Sequence, residues 1–249
     1  MSVKSKLNCL DLGILDVEGV SWNIFDKAFR NLTKLSITGT NHDKSQVRYF
    51  VEILNKSCKL QTLMLRHFNL TEIPTGLLTR VVTKISCVEL EFVKVTVDQL
   101  SKIFETIPDT SSAIEHLSLG DNLVIHKVNP ELLAKGINNL KYFDFGHLDS
   151  ANITETQTKE IFKVMSQGTK LITLGIPTHP MQLAWIDHIN TVDPEILAKA
   201  VHNLEQVWLE LEGWNGLHIT ASQYMAIFKR FGQKTNLKKV CTDEEDFYI

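Results

Sequence analysis

One pattern, L-x-x-L-x-L with an aliphatic or aromatic residue at each L, is found nine times along the chain. Its triplets are Leu7/Leu10/Leu12, Leu32/Leu35/Ile37, Leu60/Leu63/Leu65, Ile85/Val88/Leu90, Ile114/Leu117/Leu119, Leu140/Phe143/Phe145, Leu171/Leu174/Ile176, Leu204/Val207/Leu209 and Leu237/Val240/Thr242. Twenty-six of these twenty-seven positions are apolar, whereas a chain that is 43% hydrophobic supplies about twelve by chance. Successive units begin 25, 28, 25, 29, 26, 31, 33 and 33 residues apart. A near-fixed period of this size marks a chain built by stacking one small unit that cannot bury its apolar side alone.

Between the triplets two kinds of segment alternate. The first, third, fifth and seventh carry an apolar pair about seven residues before the next triplet: Ile24-Phe25, Leu77-Leu78, Leu132-Leu133 and Ile196-Leu197. In the last two, Asn129 or Asp193 is an N-cap, Pro130 or Pro194 takes the first helical position and a glutamate follows in the first turn. The even segments carry a capping box and then an apolar core position: Thr96/Gln99 with Ile103, Thr154/Gln157 with Ile161, Thr220/Gln223 with Ile227, and the divergent Asp43/Gln46 with Phe50. Each unit therefore reads as a short strand, a loop and a helix of two to three turns. Strands joined through such crossovers run parallel and the crossover is right-handed.

The expected fold is α/β, a solenoid with about nine parallel strands on its concave face and helices on its convex side. Positions 1, 4 and 6 of each unit point inward, and positions 3, 5 and 7 outward. No linker interrupts the units, so residues 1–249 form a single domain, with the acidic and aromatic residues 243–249 folding over its end as a cap. The alternation resembles leucine-rich repeats of the ribonuclease-inhibitor-like class over residues 7–242, although the asparagine that ends that motif is matched only at Asn122. The resemblance implies a protein-binding module that grips its partner on the concave sheet. It also allows an inhibitor or GTPase activator acting by surface occlusion.

The outward positions name the candidate site. Nine strands about 4.8 Å apart span about 38 Å, and three outward residues per strand match one side of a standard protein interface. Anchors of the type that dominate binding energy are Arg66, Tyr142 and Trp208, with Met64 as an adaptable apolar contact. Glu89, Glu91, His116, Asp144 and Glu210 give the same face a mixed charge that leans acidic. Two lengthened loops add Trp185, with His179, Met181 and His188 around it, and Trp214, with His218 close by.

Other function classes find no footing. Twenty-six Lys and Arg against twenty-nine Asp and Glu leave a net charge of −3, with no excess to draw a phosphate backbone. A basic cluster at Lys229, Arg230, Lys234, Lys238 and Lys239 is followed at once by Asp243, Glu244, Glu245 and Asp246. No phosphate-binding glycine motif or nucleophile elbow is present, and no His or Cys pair has metal-ligand spacing. No catalytic residue, metal or cofactor is expected. Four singly spaced cysteines, Cys9, Cys58, Cys87 and Cys241, and the lack of a signal-peptide core or an 18-residue apolar run suit a cytoplasmic protein away from the membrane. Four glycosylation-type triplets, starting at Asn31, Asn55, Asn69 and Asn152, carry little weight because they are common by chance. The end strands, 7–12 and 237–242, leave open end-to-end association of an otherwise monomeric chain, a self-assembling structural role being the second reading and enzyme regulation the third.

Overall fold

The computed structural model describes residues 8–14, 29, 31–39, 44–57, 59–120, 124–145, 153–176, 179–180, 186, 188–208, 219–230, 233, 235–241 and 246–248. It is an α/β structure in which strands and helices alternate. The strands are β1 (Cys9–Ile14), β2 (Lys34–Thr38), β3 (Thr62–Arg66), β4 (Cys87–Glu91), β5 (His116–Ser118), β6 (Tyr142–Asp144), β7 (Thr173–Ile176), β8 (His179–Pro180), β9 (Gln206–Trp208), β10 (Lys239–Cys241) and β11 (Asp246–Tyr248). The helices are α1 (Lys44–Lys56), α2 (Thr75–Thr83), α3 (Val97–Thr106), α4 (Pro130–Asn138), α5 (Glu155–Ser166), α6 (Pro194–Asn203) and α7 (Ala221–Lys229).

From β1 to β7 the strands lie side by side in chain order and all run parallel. Pairing is in register with the pattern: Leu35 faces Leu63, Leu63 faces Val88, Val88 faces Leu117, and Leu117 faces Phe143. The inward phase holds throughout. Leu63, Leu117 and Leu174 are at most 2% exposed, and every inward position from Leu32 to Leu237 whose burial is described lies in one continuous apolar core. Leu10 and Leu12 of the edge strand are partly buried against it. The helices bury their apolar sides in this same core, so they cover one face of the sheet and leave the other open.

Among the described residues seven parallel strands join in one sheet, and a continuous sheet of nine is not seen. His179–Pro180 folds back antiparallel on Gly175 and Ile176, occupying the edge of β7 that the next parallel strand would need. Strands β9 and β10 pair parallel to each other in a second sheet, and β11 runs antiparallel along β10. The two sheets still meet, because Glu205 N–H and Gln206 N–H donate to Ile172 O at 2.9 and 3.2 Å. That contact belongs to a ladder running through both sheets. The carbonyls of Asn8, Thr33, Gln61, Ser86, Glu115, Lys141, Ile172 and Glu205, the second residue of each unit, each accept backbone N–H groups from the following unit.

Local chemistry sets the helix starts. Asn129 accepts from Leu132 N–H, and Asp193 accepts from Glu195 and Ile196 N–H, with Pro130 and Pro194 inside the first turn. Thr96/Gln99, Thr154/Gln157 and Thr220/Gln223 are reciprocal capping boxes; Asp43 and the side chain of Gln46 lie outside the described residues. The three box glutamines are nearly or completely buried and do more than cap. Each Nε2 also donates to two carbonyls of the preceding unit's loop: Gln99 to Leu70 and Ile73, Gln157 to Ile125 and Val128, and Gln223 to Ile189 and Val192, all at 2.7 to 2.9 Å. The carbonyls of Leu70, Ile125 and Ile189 also accept an N–H within their own turn, whereas for those of Ile73, Val128 and Val192 the glutamine is the donor, and a buried acceptor left without one costs about 1–3 kcal/mol.

Candidate functional site

The open face of the sheet is where residues free of the core collect. Strand alternation puts the third, fifth and seventh residues of each unit there, and parallel register lines them up in rows. One row runs Cys9, Lys34, Thr62, Cys87, His116, Tyr142 and Thr173. The next runs Asp11, Ser36, Met64, Glu89, Ser118 and Asp144. Thr38, Arg66 and Glu91 lie in a shorter third row.

Of the expected anchors, Arg66 is exposed, whereas Met64, Glu89, Glu91, His116, Tyr142 and Asp144 are half-buried on this face. Arg66 is ion-paired with its cross-strand partner Glu91, so part of its guanidinium is already engaged. Asp144 accepts a hydrogen bond from Ser118 Oγ at 3.1 Å. The side chain of Trp208 and all of Glu210, Trp185 and Trp214 lie outside the described residues, although the Trp208 backbone pairs with Cys241 at the end of β9. Among the described outward positions Ser36, Ser118, Gly120 and Thr173 are buried and not open surface. All four are small, and Asp11 and Met64 flank Ser36 in its row as Glu89 and Asp144 flank Ser118. The basic cluster near the end draws counter-charges from the previous unit, Arg230 from Glu195 at 2.9 Å and Lys238 from Glu205 at 2.7 Å.

At the centre of the face the rows bring Cys87, Glu89 and His116 together. Cys87 and His116 are direct register partners, and Sγ lies 3.4 Å from Nδ1. Glu89, two residues along β4, places Oε1 4.0 Å from the same sulfur. The His116 ring packs at 5.8 Å against Tyr142, and its Nε2 is buried with no hydrogen-bond partner. Burial pushes the Cys87 thiol up to about 11, with the nearby Glu89 carboxylate adding to the rise and Lys34 opposing it. Burial likewise raises Glu89, against the pull of Lys34 and Arg66 and with added repulsion from Asp144 and Glu91. Burial lowers His116, with Asp144 opposing. At neutral pH the pair is thus a thiol beside a neutral imidazole, not the thiolate–imidazolium pair that nucleophilic catalysis uses.

A second feature sits at the rim. His67 and Phe92, which follow β3 and β4, both adopt left-handed backbone, φ 58° and 53°, and their rings stack at 4.8 Å. Phe92 is 44% exposed, an unusual state for a large apolar side chain in a strained turn. The hydrophobic pattern stops short of this position, so sequence reasoning passed over both residues. Among the described residues no helix is long and apolar enough to cross a membrane. No known protein-family model matches the chain, and no curated protein matches it.

Proposed function

We propose that the chain is a leucine-rich-repeat-like solenoid that works as a non-enzymatic protein-binding module, with the open sheet face as its grip. The observation that carries this reading is the division of the sheet into two unlike faces. One is sealed in a continuous core, and the other is uncovered by any helix and carries Met64, Arg66, His116 and Tyr142 in adjoining rows. Rigid aromatic and arginine groups on a preformed surface bind at low entropic cost. The carbonyl ladder from Asn8 to Glu205 supports the stacked-unit architecture, since one hydrogen-bonding position repeats in unit after unit. Glu89, Glu91 and Asp144 favour a partner that brings basic as well as apolar groups. Cys9 and Cys87 are free thiols, which suits the cytoplasm.

The test is affinity capture from source cells, identification of the retained protein, and a binding titration of the purified pair. Replacing Tyr142 and Trp208 together with Ala removes two anchors and is expected to weaken binding about a thousandfold, at about 2 kcal/mol or more each, with an unchanged circular dichroism spectrum. Equal affinity of the double variant and the parent rules out the sheet face as the grip.

End-to-end association is a second reading with its own support. Among the described residues β1 pairs on one side only, with β2, and Cys9, Asp11 and Gly13 are exposed. Light scattering that finds only monomer at tens of micromolar eliminates it.

A further inference from the structure

We propose that Cys87, Glu89 and His116 form a binding site for one divalent cation of the zinc class. The three offer a thiolate, a carboxylate and an imidazole, the donor set that borderline-soft divalent ions select, and their ligand atoms lie within 4.8 Å of one another. Among the described residues no other group of three does so. The spacing fits the ion. With a sulfur about 2.3 Å and a nitrogen about 2.0–2.1 Å from a tetrahedral zinc, the two donors stand about 3.6 Å apart. Cys87 Sγ and His116 Nδ1 are 3.4 Å apart, so only small side-chain rotations are needed.

The scaffold supports the site independently of any docked protein. Two donors come from alternate positions of β4 and the third from the register partner on β5, so backbone pairing fixes all three origins. Rigid elements hold ligands more accurately than loops. A divalent ion bound by the Cys87 thiolate and the Glu89 carboxylate would leave the cluster neutral overall. With Nδ1 on the ion, His116 Nε2, buried and without a protein partner, carries the ring's N–H. Three protein ligands would leave a fourth tetrahedral position for a water or another donor.

Binding forms a sulfur–metal bond at the expense of the Cys87 S–H bond, and the proton passes to solvent. A cysteine is ordinarily a thiol near pH 7, so about one proton leaves per ion bound.

The experiment titrates the full chain, metal-free, with Zn²⁺, and in parallel with Co²⁺ and Mg²⁺. One Zn²⁺ per chain is expected, with release of about one proton in weakly buffered solution and a thiolate-to-cobalt charge-transfer band with Co²⁺; Mg²⁺ is not expected to bind. Cys87→Ser and His116→Gln are each expected to weaken Zn²⁺ about a hundredfold or more, and Glu89→Gln about tenfold or more, while Cys9→Ser leaves it unchanged. Circular dichroism checks that the variants fold, and the cobalt band is read on the unaltered chain, so it stands whatever the variants do. Absence of the band, or unchanged affinity in a folded Cys87→Ser/His116→Gln double variant, overturns the site.

Discussion

Gly136 of α4 lies against Phe104 of α3 so closely that a Cβ on the glycine would stand 2.5 Å from the ring's Cδ1 and 3.1 Å from the Phe104 carbonyl oxygen. Both residues are buried, and Phe104 in turn packs edge-on against Phe143 of β6. The missing side chain is what lets two successive helices approach over a large aromatic ring. Helix propensity argues the opposite way, since alanine in mid-helix is favoured by about 1 kcal/mol over glycine.

Packing wins this contest. Gly136→Ala is expected to destabilise the fold by about 1–2 kcal/mol net, because contacts at 2.5 and 3.1 Å put overpacking in the upper part of its usual range, about 2–3 kcal/mol, against a propensity gain of about 1. Urea denaturation measures it. A stabilised variant would show that the helices separate freely.

The buried glutamines give a second expectation. Gln157→Ala strips the donor from Val128 O and the acceptor from Thr154 N–H, while Ile125 O keeps the Val128 N–H, leaving one buried acceptor unsatisfied. The loss is expected at about 2–4 kcal/mol, above that of a simple cap. Gln157→Glu sharpens the point. It keeps the shape but sets a carboxyl against two carbonyls, which raises its folded pKa above the unfolded value. The variant is therefore most stable in acid and loses stability as pH rises through the folded pKa. Equal stability at pH 4.5 and 7.5 counts against the glutamine's donor role.

His202, buried on α6, has Nε2 3.1 Å from Ile227 O and Nδ1 2.9 Å from Thr235 Oγ1. Burial is the main reason its pKa falls below the ordinary 6.5, the Ile227 carbonyl opposing and the charge of Arg230 adding to the fall. Below 6.5 the unfolded chain binds this proton before the folded one does, so its contribution is present above that pH and lost on acidification. Melting temperature is expected to fall between pH 7 and pH 5, and more gently in His202→Gln. Parallel slopes for the two proteins would remove His202 as a source of acid sensitivity.

Much of the architecture was legible because it rests on short-range chemistry. Leu63, Leu117 and Leu174 declare their inward direction by apolar spacing, and Thr154 and Gln157 declare a helix start by a cap closed within four residues. What stayed hidden depends on contacts between units. Gln157 reads as a capping residue, and only the stack reveals the loop carbonyls that its other end holds. Cys87 and His116 stand 29 residues apart and match no ligand motif, yet both are third residues of their units, so register alone makes them neighbours. The fold-back of His179–Pro180 on β7 left no trace in the apolar pattern, because two residues are too few to show a period.

The three glutamine clasps join the coil of β3 to that of β4, the coil of β5 to that of β6, and the coil of β7 to that of β9. No clasp of this type spans the joints between those couples among the described residues. Each clasp therefore ties two successive strand–helix segments into a couple, and removing one segment of a couple would leave either a glutamine or its loop carbonyls with nothing to hold.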